Sequence, residues 1–178
     1  MKTIALALLL IAPATAALAQ HKQPYAGQES RAIKALSEQE AADLLAGRGM
    51  GLAKAAELNS YPGPLHALEL REQLGLDAKQ VAALEEQKRR MAEAAVALGR
   101  QIIAAERDLD GLFAERRIDA ATLQAKAEEI GRMQGRLRAV HLATHLETRS
   151  TLTDAQVRRY DALRGYTANA PGQHRHKH

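Results

Sequence analysis

Between residues 81 and 112 apolar side chains recur at steps of seven: Leu84, Met91, Leu98, Ala105 and Leu112. Val81, Ala95, Ile102 and Leu109 fill the companion positions, with Lys88 as the one polar interruption of that second row. This period puts one apolar stripe along an α-helix and predicts a helix over residues 78–117, about 60 Å long at 1.5 Å per residue. Ile118 and Asp119 then make a turn, Asp119 caps, and the returning helix carries Leu123, Ile130, Met133, Leu137, Val140 and Thr144 on its own stripe. Two stripes of this length bury one another when the helices run side by side in opposite directions, which predicts an antiparallel pair.

The flanking segments are also helical in period, and no convincing strand pattern occurs. Ser37-Glu38-Gln39-Glu40 is a capping box that opens a helix carrying Ala42, Leu44 and Leu45. Gly47-Arg48-Gly49-Met50-Gly51 follows; it lacks the preceding strand and the Gly-Lys-Ser/Thr ending of a phosphate-binding loop, so its glycines predict a kink or close packing against the long helices. Helical pattern resumes over residues 52–58 and stops before Tyr61-Pro62-Gly63-Pro64, a chain reversal. Pro64 starts a short helix through Leu74, with Leu65, Leu68 and Leu70 apolar, and Gly75 closes it.

Two helix-start signals bracket the long pair. In Leu76-Asp77-Ala78-Lys79-Gln80, Asp77 is the N-cap, Gln80 reaches back from the third helical position, and Leu76 staples onto Val81. In Leu152-Thr153-Asp154-Ala155-Gln156, Thr153, Gln156 and Leu152 take the same parts, with Val157 as the staple partner, and a last short helix to Gly165 presents Val157, Tyr160 and Leu163.

Leu-Thr-x-x-Gln at residues 152–156 and its Asp-for-Thr variant at 76–80 resemble the paired LTXXQ motifs of the Spy/CpxP family of periplasmic proteins, whose relatives include the metal sensor CnrX and the zinc-associated ZraP. The resemblance covers most of the chain after residue 19, and Asp77 caps as well as the threonine of the motif. It implies a hooked, dimeric hairpin. The periodicity agrees in class: the expected fold is all-α, a long antiparallel helical hairpin with short flanking helices, four in all, whose uncovered apolar flank is closed by homodimerisation.

At the start of the chain, Lys2 precedes an apolar run over residues 4–12, and Ala17-Leu18-Ala19 has the small-x-small pattern of a signal-peptidase site. Residues 1–19 are read as a secretory signal peptide, 20–36 as a flexible arm, 37–165 as the helical hairpin domain and 166–178 as a disordered His-rich tail. The run is shorter than the about 20 residues of a membrane span and nothing later approaches that length, so an exported, periplasmic protein is expected. The 178 residues contain no cysteine, which excludes disulfides, thiolate catalysis and sulfur-ligated zinc. Aromatics are 3% of residues, with one Phe and no Trp, a composition suited to thin helices packed through Ala and Leu. The net charge of +4 is interspersed in sign along the helices, and with few stacking aromatics and an export signal a nucleic-acid partner is not expected.

Candidate chemistry rests on histidine. His141 and His145 stand one turn apart, the spacing at which two imidazoles reach one ion, and an edge pair or an interhelical hydrogen bond is the alternative use of that spacing. Further ligands are sought in His66 and Glu69, three apart on the short helix, and in Glu57 before the Pro-Gly-Pro turn. Such a set suits Zn(II), Cu(II), Ni(II) or Co(II), Cu(II) by affinity. The CnrX resemblance implies His, Glu and a Met, with His145 standing where a Met is expected. His174, His176 and His178 form a second, weak site or a solvated basic tail. No nucleophile elbow or His-Glu-x-x-His motif occurs, so no enzyme and no required cofactor are expected. Two functions follow as expectations: a Spy/CpxP-like stress-response chaperone or adaptor for unfolded or envelope proteins, or a heavy-metal sensor or resistance protein that signals to a membrane partner.

Overall fold

The computed structural model describes residues 23–166, so the signal-peptide segment, His174, His176 and His178 lie outside the described residues. The chain divides after Ser30. Residues 23–30 form short turns, Ala26 N–H donating to Gln23 O and Gln28 N–H to Tyr25 O, each at 3.0 Å. From Arg31 onward the described chain is all helical, without strands.

Seven helical segments follow among the described residues: α1 Glu38–Leu45, α2 Lys54–Glu57, α3 Pro64–Glu69, α4 Arg71–Leu74, α5 Ala78–Ala114, α6 Ala120–Thr151 and α7 Asp154–Leu163. The two long ones, α5 and α6, contain 37 and 32 residues. They pack against each other, and their contacts run in opposite numerical order: Gln80 meets Thr151, Gln87 meets Thr148, Arg90 meets Glu147 and Asp108 meets Lys126. α1 and α3 lie on α5, and α4 packs with α7.

Several boundaries differ from those the sequence predicts. α5 stops at Ala114, not Arg117, because Arg116 adopts a left-handed φ of 56° and Arg117 N–H donates to Leu112 O at 2.9 Å, ending the helix without the glycine that signals such a stop. The single helix expected over residues 64–74 breaks at Leu70 into α3 and α4. Of residues 52–58 only Lys54–Glu57 is α-helical. With the break at Leu70 the six helical stretches predicted along the sequence are seven segments among the described residues, more than the four helices of the expected hooked hairpin.

Packing shows which apolar positions the sequence placed correctly. One cluster joins Ile33, Leu44, Ala95, Ile102, Ile103, Ala105, Ile130, Met133 and Leu137; a second joins Ala67, Leu74, Leu84, Leu152, Val157 and Tyr160. Ile33 belongs to the first core although its neighbourhood reads as a polar arm, and Lys34 Nζ bonds Asp110 at 3.1 Å. Lys88 is exposed, and the buried polar residue of this helix is its neighbour Gln87. Ala42, Leu45, Leu65 and Leu123, placed on apolar faces by period, are exposed, because among the described residues no further layer covers them.

Two glycines in long helices show how closely the elements approach. A Cβ on Gly99 of α5 would stand 2.2 Å from the Leu44 carbonyl oxygen, so glycine there lets α1 lie directly on α5. A Cβ on Gly131 of α6 would meet nothing within 4 Å. Opposite outcomes follow for one chemical change. Gly99→Ala should destabilise by about 1–3 kcal/mol through overpacking, whereas Gly131→Ala should stabilise by about 0.5–1 kcal/mol by relieving backbone entropy. Denaturant midpoints of the two variants check this, and equal shifts of the same sign would contradict the packing.

Candidate functional site

The two motif segments build the junction of α5, α6 and α7. Asp77 Oδ1 accepts from Gln80 N–H at 2.8 Å, and the Gln80 side-chain oxygen accepts from Asp77 N–H at 3.1 Å. Thr153 Oγ1 and Gln156 repeat the box, at 3.2 Å and 2.9 Å. These boxes satisfy backbone donors that a helix N-terminus leaves open. Each glutamine then uses its amide a second time. Gln80 Nε2 donates to Gln156 Oε1 at 2.9 Å, and Gln156 Nε2 donates to Gln80 Oε1 at 3.0 Å, a reciprocal pair between residues 76 positions apart. Gln80 Nε2 also reaches Thr151 O at 3.0 Å, and Gln156 Nε2 reaches Gly75 O at 3.4 Å. Leu152 and Val157 are buried and Leu76 packs beside them, so an apolar floor underlies the polar pair.

A second polar row continues from this junction between the long helices. Gln87 Nε2 donates to Thr151 Oγ1 at 3.0 Å, and Thr148 Oγ1 donates to Gln87 Oε1 at 3.1 Å. Gln87 stands outside both apolar rows that the period draws on the first long helix, and Thr148 follows Thr144 by one turn beyond the stripe read on the second, so the sequence pattern marks neither as buried.

Between the two apolar clusters, His141 and His145 of α6 reach a cavity of about 330 Å³ whose lining also includes Glu57, His66, Met50, Met91, Arg164 and the backbone of Gly49 and Gly63. His141 is 3% exposed and His145 9%. The His145 Nδ1 lies 2.7 Å from Tyr61 O, an acceptor, so Nδ1 carries the hydrogen and Nε2 keeps its lone pair in the neutral ring. A Cβ on Gly63 would stand 2.9 Å from His145 Cε1 and 3.0 Å from Nε2, which makes this glycine the seat of the ring. His141 Nε2 is buried with no hydrogen-bond partner, a state that costs about 1–3 kcal/mol. Burial, with the charge of nearby His145 as a smaller cause, pushes the His141 pKa below its ordinary value.

The carboxylates predicted as ligands have other occupations. Glu57 Oε1 accepts from the Tyr160 hydroxyl at 2.5 Å and the Tyr166 hydroxyl at 3.1 Å, with Arg164 Nε at 3.6 Å, while its Oε2 accepts from Gly63 N–H at 3.3 Å and stands 3.7 Å from His145 Nδ1. Burial and this bond to Glu57 push the Tyr160 hydroxyl far above the usual tyrosine range. Glu69 does not line the cavity; its carboxylate lies 2.8 Å from His66 Nδ1. The chain therefore brings Glu57, His66, His141 and His145 to one cavity, with Glu69 behind His66, and among the described residues no group of three or more His, Asp and Glu side chains is arranged to hold an ion. Sequence reasoning missed Met91 and Met50, which read as core and loop, and the Tyr160–Glu57 bond that fixes the cavity wall.

Comparison with protein-family models, with curated proteins and with solved structures found no match for this chain.

Two measurements follow. Thr153→Ala should lower stability by about 1 kcal/mol through the lost cap, and Gln80→Ala with Gln156→Ala should show a coupling energy of at least about 0.5 kcal/mol in a double-mutant cycle; additive effects would deny the reciprocal amide pair. Because the folded-state pKa of His141 is depressed, the unfolded chain binds more protons as pH falls below the free histidine value of about 6.5. Its contribution is present in full above that value and is lost as pH drops toward the folded pKa. Unfolding midpoints measured from about pH 7.5 down to about pH 5 should fall, and His141→Gln should flatten that fall.

Proposed function

We propose that this chain is an exported, non-enzymatic binding protein of the Spy/CpxP kind, a hooked antiparallel hairpin that works as a homodimer and holds unfolded or envelope-protein clients. The observation that carries this reading is the meeting of the two LTXXQ-like segments in the Gln80–Gln156 amide pair: the two motif copies form one structural unit. A thin helical body with uncovered apolar side chains supports the binding role. Leu58, Leu146, Phe113 and Leu65 are exposed by 62%, 59%, 53% and 46%. Exposed apolar side chains of this size are surface that a second copy or a client can cover.

A second reading, a metal-responsive regulator that binds Zn, Cu, Ni or Co and signals to a membrane partner, is favoured by the ring nitrogens at the cavity. His66 and His145 each direct Nδ1 at an oxygen acceptor, the outer-shell pattern that orients a ligating imidazole, and His141 holds a buried nitrogen without a partner.

In a light-scattering assay, stoichiometric dimer should suppress aggregation of an unfolding client, and Leu146→Asp should weaken suppression while helix content stays unchanged. Absence of suppression by the unsubstituted protein would end the chaperone reading.

A further inference from the structure

The two methionines at the cavity are not used by either reading. Met91 projects from α5 toward the same space as His141 and His145, and Met50 enters it from the glycine-rich loop, where it holds a left-handed φ of 43°. Around this space the available donors are imidazole nitrogen and thioether sulfur. Carboxylate is committed elsewhere: both Glu57 oxygens are bonded, to two tyrosine hydroxyls and to the Gly63 N–H.

We infer that this cavity is a site for monovalent copper, held by His141, His145 and the Met91 thioether, with Met50 closing over it. The inference rests on the metal-responsive reading and names its ion. Three observations carry it. His145 has its tautomer set by Tyr61 O, which leaves Nε2 as a ligand atom, and His141 Nε2 is a buried nitrogen with no other bond. Neutral imidazole and thioether are soft or borderline donors; thioether sulfur selects Cu(I), while Zn(II), Ni(II) and Co(II) gain little from it and favour the carboxylate that is already taken. The local charge points the same way. Lys54 and Arg164 line the cavity against the single carboxylate of Glu57, so a second positive charge on the ion adds repulsion and a larger desolvation cost.

The test uses the full chain with His174, His176 and His178 changed to Ala in every variant, so that the tail contributes no imidazole. Anaerobic competition of Cu(I) against a chromophoric chelator should give one copper per chain, and X-ray absorption should show a sulfur neighbour of the copper. Met91→Leu, which conserves volume, should weaken Cu(I) by at least the about 10–100-fold that loss of an outer-shell partner costs, leave Zn(II) affinity unchanged and leave helix content intact. His141→Ala should remove the copper site. Cu(I) affinity untouched by Met91→Leu, or copper with no sulfur neighbour, would overturn the assignment. Tighter binding of Zn(II) than Cu(I) at His141 and His145 would overturn the ion while keeping the metal-responsive reading, and no uptake of either ion at these residues would overturn both.

Discussion

Gln80 and Gln156 each close a capping box on their own helix and each bond to the other, and the rest of the molecule depends on that double use. A capping box alone satisfies donors at one helix start. Here the side-chain amide that completes the box on α5 also fixes where α7 begins, and the amide on α7 reaches back to Gly75, the left-handed stop of α4. Three chain segments are thereby tied at one point through groups that otherwise stand buried and unpaired. An amide pair in a partly buried setting contributes about 1 kcal/mol net when made, and its larger effect is on register, because a slip of either helix leaves donors without acceptors.

From that point the long helices run beyond the reach of their own cover. The small segments gather where α5 begins and α6 ends, and α1 with Ile33 extends the cover toward the middle through the close approach at Gly99. Near the turn, Leu109 and Leu112 are only half-buried and Phe113 is exposed. With Ala, Leu and Gly where thicker domains place aromatics, two packed helices bury only one stripe each. The uncovered side chains are a consequence of that thinness, and the proposed binding role rests on them.

The histidine cavity lies where the two apolar clusters part, between Leu137 of the first and Leu152 of the second. A gap between cores is where polar side chains from α6 meet loop backbone instead of a neighbouring stripe. Tyr61 O and Gly63 fit around the His145 ring because the Pro62-Gly63-Pro64 reversal presents both at once, and the Tyr160–Glu57 bond holds α2 against α7 behind them. The site is therefore a product of the same reversal that ends α2 and starts α3.

The sequence by itself determined the helical class, both long helices, every capped helix start from Ser37 to Thr153, and the apolar cores at Leu84, Ala95, Ile102, Ile130 and Leu137. These are local or strictly periodic properties, fixed by side-chain chemistry within one or two turns. It misplaced what depends on neighbours distant in the chain: the burial of Ile33 and Gln87, the stop at Arg116 without a glycine, and the break at Leu70. It also named His66, Glu69, Glu57, His141 and His145 from residue type and spacing, which puts His66 and Glu69 on one side of a helix but cannot show that two tyrosines hold Glu57. Only the tertiary structure decided which ring nitrogens remain free, that the thioether of Met91 shares their cavity, and that Gln80 and Gln156 meet, because each of these depends on elements brought together by packing rather than on any pattern along the chain.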